Sequence, residues 1–208
     1  ISSLASLKIL NARYSNLNNT GLQTFFRLAG HKLKHLTLSD TKITGQDIDE
    51  FTDKFPNLVS INLSDCQMLT DQGFCNFIKI CGPELKFLDL GRTKISAEGL
   101  QDSRHEYKCI NKLVKLNLGG CRQLKGLKNI ISLCGNSLKH LNLEGTNITD
   151  IKIYVPEKKF RINFLNLSDC KMLTDIDLQQ ILEISGVFLK FLFLSNTNIT
   201  GEGLALKT

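Results

Sequence analysis

Between Leu58 and Leu85 the chain reads LVSINLSDCQMLTDQGFCNFIKICGPEL. Leu58, Ile61 and Leu63 set an apolar face that ends at period two. Cys66 and Leu69 carry it into a polar turn, and Phe74, Phe77 and Cys81 then recur at helical spacing. The pattern predicts a short strand, a loop and a return helix, and Leu85 begins it again.

Eight such units open at Leu7, Leu33, Leu58, Leu85, Leu113, Leu138, Ile162 and Leu189, in steps of 24 to 28 residues. A period held along the whole chain predicts one array over residues 1–208 rather than two domains. The first unit is degenerate, with Ala12 where the third apolar residue belongs. The ninth position reads Ser15, Thr41, Cys66, Thr93, Cys121, Thr146, Cys170 and Thr197. These are small side chains with one donor, expected to turn inward onto loop carbonyls. Thr and Cys alternate strictly from Thr41, and Ala29-Gly30, Cys81-Gly82, Cys134-Gly135 and Ser185-Gly186 precede the Thr-type copies. Those glycines read as left-handed helix caps. A doubled unit therefore overlies the single one; LSDCQMLTD at 63–71 and LSDCKMLTD at 167–175 differ at one position. Helices are expected at about 20–29, 46–55, 72–81, 98–111, 126–134 and 176–185, several of them capped by Thr or Asp. The segment Ile151–Pro156 alternates and ends in proline, so extended or irregular backbone is expected there.

The motif L-x-x-L-x-L-x-x-C-x-x-[IL]-T-D-x-G is matched almost letter for letter at 58–74 and well at 162–175. It resembles the cysteine-containing leucine-rich repeat, a subclass of the ribonuclease-inhibitor-like solenoids, and the resemblance covers essentially the whole chain. The resemblance implies an α/β fold: a curved leucine-rich-repeat solenoid with a parallel sheet on the concave face and mostly helices on the convex face. It also implies a protein–protein interaction module, such as the substrate-recognition part of an F-box-type ubiquitin-ligase receptor. A non-catalytic structural or assembly subunit fixed in a large complex is the alternative. Neither end shows a polar capping unit, so the array is expected to be a segment of a longer chain, or covered.

With 26 Lys and Arg against 20 Asp and Glu the chain carries +6. Along the sequence these cations are scattered, whereas nucleic-acid modules gather charge on one face, so no nucleic-acid partner is expected. No apolar run approaches the ~20 residues of a membrane helix, and no membrane span is expected. Seven cysteines, an odd number, do not read as a secreted disulfide framework. Cys66, Cys121 and Cys170 hold the ninth position, while Cys81, Cys109 and Cys134 each lie four residues before a unit-opening leucine. Thiols fixed by a repeat are packing residues and suit a reducing compartment, cytoplasmic or nuclear. Five Asn-x-Ser/Thr sites, at Asn18, Asn62, Asn147, Asn166 and Asn198, read as accidents of an Asn-rich repeat.

No catalytic constellation emerges, and neither enzyme activity, cofactor nor metal is expected. His105 and Cys109 are four apart on an expected helix but lack two further ligands. The carboxylate pairs Asp47/Asp49 and Asp175/Asp177 fall at helix starts, where capping or solvation is the normal role. Gly119-Gly120 lacks the Lys-Ser/Thr of a phosphate loop. What the repeat specifies is a surface. The third position reads Ile9, His35, Ser60, Phe87, Lys115, His140, Phe164 and Phe191; the fifth reads Asn11, Thr37, Asn62, Asp89, Asn117, Asn142, Asn166 and Phe193. The asparagines are expected to ladder between strands. His140, Phe164 and Phe191 are consecutive, with Phe193 beside them, and read as a partner site, as a patch covered by a C-terminal cap or extension, or as rings that pack on each other. Phe87 and Lys115 extend that row, and Asp40, Asp65, Asp89 and Arg92 form a polar rim or second contact region nearer the other end.

Overall fold

The computed structural model describes residues 4–51, 54–98, 108–148, 161–185, 187–202 and 204, with backbone alone at 108, 109, 135, 184 and 185. Ile151–Pro156, His105 and the Cys109 side chain lie outside the described residues. Eight three-residue strands form one parallel sheet in chain order. They are β1 (Ile9–Asn11), β2 (His35–Thr37), β3 (Ser60–Asn62), β4 (Phe87–Asp89), β5 (Lys115–Asn117), β6 (His140–Asn142), β7 (Phe164–Asn166) and β8 (Phe191–Phe193). Register is constant along the sheet, so Ile9 lies opposite His35 at one end and Phe164 opposite Phe191 at the other. The middle residue of each strand from Leu10 to Leu165 is buried, as are the unit-opening leucines from Leu33 to Leu138. The third and fifth positions are left on the open, concave face, as the period-two pattern requires.

The doubling seen in the sequence governs the convex side. Among the described residues all four α-helices follow odd-numbered units: α1 (Asn19–Leu28), α2 (Asp71–Lys79), α3 (Leu127–Cys134) and α4 (Asp175–Ser185). Within the described residues the even units carry 3-10 turns instead, at Asp49–Phe51 and Lys108–Lys112. The expected helix at 46–55 is therefore replaced by a single 3-10 turn, and the described end of the one expected at 98–111 is 3-10 as well. The cause lies at the first helical position. Where odd units place Asn19, Asp71 and Asp175, even units place Gly45, Ala97 and Gly201 with φ of 75°, 59° and 80°. A left-handed residue does not start a right-handed helix. The odd unit also clamps this turn from outside. Asn19 Oδ1 accepts from the N–H groups of Thr44 and Gly45 at 3.1 and 3.4 Å. Asp71 Oδ1 accepts from Ser96 and Ala97 at 2.8 and 3.2 Å, and Asp175 Oδ1 from Thr200 and Gly201 at 3.1 and 2.9 Å. Thr70 caps α2 as the sequence predicts, accepting from the Gly73 N–H, while the cap of α1 is an asparagine, Asn18, accepting from the Gly21 N–H, each at 3.0 Å. At α4, Thr174 and Asp177 bond each other reciprocally.

Inside the array a second link joins each even unit to the following odd one. Thr41, Thr93 and Thr146 donate their hydroxyls to the carbonyls of Leu38, Leu90 and Leu143 at 2.7, 2.8 and 2.6 Å. Cys66, Cys121 and Cys170 reach back to those same carbonyls at 3.1, 3.0 and 3.1 Å. The ninth position thus turns inward as its residue types demand, and Thr and Cys alternate because the two share one acceptor across a unit boundary.

Gly30 and Gly82 correct one expectation. Neither is left-handed. A Cβ on Gly30 would sit 2.7 Å from the Ala5 carbonyl oxygen, and one on Gly82 would sit 2.5 Å from that of Pro56. At both sites the chain runs parallel to the preceding unit, bridging Ala29 to Leu4 and Cys81 to Phe55. Glycine is there for close approach of two backbones. Gly135 lies in the 3-10 turn Gly135–Ser137, and Gly186 is outside the described residues.

Two measurements test this packing. Gly73→Ala would put a Cβ 1.9 Å from the backbone oxygen of Thr44, so urea unfolding should show a loss of about 1–3 kcal/mol. Gly21→Ala, whose nearest neighbour is the flexible tip of Leu17, should cost less. The thiols of Cys66, Cys121 and Cys170 are fully buried, and burial pushes their pKa up. Thiol reagents should label them slowly in the native protein and quickly in denaturant; rapid native labelling of all three would refute the shared-acceptor geometry.

Candidate functional site

Every strand leaves the sheet through the same turn. The eighth residue of each unit is left-handed: Tyr14, Asp40, Asp65, Arg92, Gly120, Gly145, Asp169 and Asn196, with φ between 55° and 75°. Asp, Asn and Gly tolerate that conformation better than other residues, which accounts for six of the eight identities. The fifth-position side chain braces the turn from the strand. Asn62, Asp89, Asn117, Asn142 and Asn166 each accept from the N–H two residues on, at 2.9 to 3.1 Å. Neighbouring members also join as a ladder, Asn142 to Asn117 at 3.0 Å and Asn117 to Asp89 at 2.9 Å. Asn166 leaves the ladder and donates to Glu144.

These contacts redistribute the candidate polar rim. Asp89 is held by the Gly91 N–H and by Asn117. Asp65 is gripped by both arms of Arg92, at 2.6 and 2.5 Å, and this bonding holds its carboxyl below the usual carboxylate range. Arg92 is a poor residue for φ 55°, and the paired carboxylate from the unit before fixes it there. Asp40 remains exposed at the turn. A groove of about 1010 Å³ follows these turns, but Glu144 and Asp169 interrupt its cations Arg92, Lys94, Arg122 and Lys171. The sequence carried a signal for this rim, Asp, Asn or Gly at every eighth position but two, that residue-type reasoning alone did not extract.

The C-terminal end of the concave face holds the aromatic cluster together. His140 stacks on Phe164 with ring centres 5.6 Å apart and planes 29° apart. Phe164 in turn meets Phe193 at 5.1 Å and Phe191 at 6.3 Å. Phe164 is half-buried by its neighbours, whereas Phe191 and Phe193 are 56% and 42% exposed. Nearer the middle, the Lys115 ammonium lies 5.8 Å from the centre of the Phe87 ring, and His35 bonds Ser60 at 2.8 Å. A shallow depression of about 470 Å³ connects Phe87, Lys115, His140 and Phe164. The cations are also less scattered than the linear sequence suggests: Lys34, Lys86, Lys139 and Lys190 occupy the second position of every even unit.

Among the described residues no group of three His, Cys, Asp or Glu side chains is placed to hold a metal ion, and no helix is long and apolar enough to cross a membrane. The sequon asparagines carry structural bonds. Asn18 caps α1, Asn62 and Asn166 brace strand ends, and Asn147 and Asn198 donate to the carbonyls of Arg122 and Lys171.

His140 reports on the electrostatics of this face. Desolvation, then the charges of Lys115 and Lys139, hold its pKa below the ordinary 6.5. The folded array therefore binds fewer protons than the unfolded chain near that pH. The associated stability is present at neutral pH and is lost as pH falls from 6.5 toward the folded-state value. Lys115→Gln should raise the His140 pKa, read from its imidazole proton shifts by NMR; a wild-type ring titrating above 6.5 would contradict the placement of both lysines.

The repeats have counterparts elsewhere. Family models described as Leucine Rich Repeat and Leucine Rich repeat match residues 32–53 and 136–151. F-box/LRR-repeat protein 4 of Bos taurus is 30% identical over 122 residues, covering 58% of this chain and 19% of that protein. DNA repair protein rhp7 of Schizosaccharomyces pombe is 32% identical over 193 residues, covering 86% of this chain and 33% of that protein. The chain thus spans a third or less of the length of these curated relatives. Repeat models and relatives agree with the geometry of the sheet: this chain is an array of leucine-rich repeats, and those repeats resemble the ones of F-box/LRR proteins.

Proposed function

We propose that this chain is the recognition array of a larger protein and works by binding a protein partner on its concave face, without catalysis. The observation that carries this reading is the contiguous cluster of Phe164, Phe191 and Phe193, two of whose rings lie largely open to solvent. Rings of this size dominate interface energetics when a partner covers them. The likeness to an F-box/LRR protein supports a finer version, in which the array presents substrates to a ubiquitin-ligase assembly. A subunit fixed in a stable complex is the second reading, since the open rings of Phe191 and Phe193 suit a permanent interface equally well. The buried thiols of Cys66, Cys121 and Cys170, each bonded to a backbone carbonyl, support a reducing compartment for either, cytoplasmic or nuclear.

The test uses the full-length protein with Phe191→Ala and Phe193→Ala together. Each ring contributes about 2–3 kcal/mol when buried on a partner, so quantitative affinity purification should show partner recovery falling by about 10²-fold or more. The melting temperature should barely move, because both rings lie outside the core. A variant that melts sharply lower yet keeps its partners would assign the rings to an intramolecular cover instead. Partners that accumulate when the proteasome is inhibited would support the receptor version; partners recovered at constant stoichiometry would support the fixed subunit.

A further inference from the structure

The backbone ladder of the sheet begins one residue before the strands. Lys34, Val59, Lys86, Val114, Lys139, Asn163 and Lys190 each donate an N–H to the residue at the same place one unit earlier. In all four even units that residue is lysine and the next is a ring: Lys34–His35, Lys86–Phe87, Lys139–His140 and Lys190–Phe191. The odd units read Lys8–Ile9, Val59–Ser60, Val114–Lys115 and Asn163–Phe164, and none holds the pair. Duplication of a doubled unit would repeat the whole segment, yet the two residues before each opening leucine of these even units differ every time: His31-Lys32, Pro83-Glu84, Asn136-Ser137 and Val187-Phe188. All four lysines are exposed, and among the described residues none is paired with a carboxylate.

Spacing narrows what such a row can read. Neighbouring strands lie about 4.8 Å apart, so the Lys–ring pairs recur every ~9.6 Å across the face. A polyproline II chain has three residues per turn and rises ~3.1 Å per residue, so every third side chain faces the same way at ~9.3 Å intervals. A β-strand repeats its facing side chains at ~6.6 or ~13 Å and falls out of step. A single-stranded nucleic acid needs free ring faces on which bases stack. Here the His140 face is taken by Phe164, and His35 is tied to Ser60.

We propose that the strand-start side of the concave face is a docking track for an acidic polypeptide segment in polyproline II conformation. An Asp or Glu at every third residue meets Lys34, Lys86, Lys139 and Lys190 in turn. The prolines or apolar residues between them rest on the exposed rings of Phe87 and Phe191 and against the edges of His35 and His140. This deepens the reading of the concave face as a protein-binding surface and rests on it. The lowered pKa of His140 fits, since a docked carboxylate would relieve the field of Lys115 and Lys139.

The experiment is fluorescence polarisation with the full-length protein and three labelled probes: a peptide of five Glu-Pro-Pro triplets, a block isomer of the same composition, and a single-stranded oligothymidine of equal length. The phased peptide should bind at least about tenfold tighter than either control, with an affinity that falls as salt rises. Lys34→Glu with Lys86→Glu should weaken it about tenfold or more, and Lys34→Gln with Lys86→Gln by less. Melting should be unaltered, because both side chains are exposed. On binding, the His140 pKa should rise. Equal or tighter binding of the block isomer or the oligonucleotide would overturn the proposal, as would a charge-reversed variant that binds the phased peptide normally. These two lysines lie away from the C-terminal rings, which separates the two ideas. If charge reversal is silent while the Phe191/Phe193 variant still loses its partner, the track fails and the recognition array stands. If both are silent, the concave-face reading falls with it.

Discussion

Each strand from β2 to β7 passes into a buried leucine whose carbonyl must be satisfied inside the array. Leu38, Leu90 and Leu143 show how this is done: one oxygen accepts a threonine hydroxyl from its own unit and a cysteine thiol from the next. A buried acceptor left without a donor costs about 1–3 kcal/mol, so the choice of Thr and Cys at the ninth position is tightly constrained. The same bonds cross each even-to-odd unit boundary, and the register that backbone pairing keeps constant at every boundary turns the third and fifth positions into continuous rows. The concave surface is a consequence of that interior arrangement.

The sheet, its register and the four α-helices were legible in the sequence because each rests on apolar periodicity, which one chain displays directly. The return segments of even units were not. At 46–55 the apolar residues Ile48, Phe51 and Phe55 keep helical spacing, and all three are buried. Yet Gly45 is left-handed and clamped by Asn19, so a contact made across units overrides the local pattern. Gly30 and Gly82 failed for a related reason: a glycine beside a helix end fits both a left-handed cap and a close approach, and only the neighbouring backbone distinguishes them.

The candidate surface was legible in part. The aromatic cluster follows from row membership alone, because a constant register puts Phe164 beside Phe191. The polar rim does so in part: the bond of Asp89 to Asn117 follows from the fifth-position row, whereas that of Asp65 to Arg92 depends on the left-handed turn. Cations that look dispersed along the chain line up only once units are superposed in pairs. A charge count distinguishes neither case, whereas the period at which a charge recurs does.

The two links between units alternate. The first, third and seventh units clamp the following even unit from outside through Asn19, Asp71 or Asp175, whereas the fifth begins its helix at Leu127 without such a side chain; even units are tied to the following odd unit from within through a Thr–Cys pair. An array joined this way has a parity. Inserting one unit would set thiol against thiol at one boundary, or place two clamping side chains in succession with no left-handed turn to receive the first. Growth or loss by whole doublets leaves every junction intact, so viable lengths of such a solenoid come in even increments, and any recombination point within it has to respect that phase.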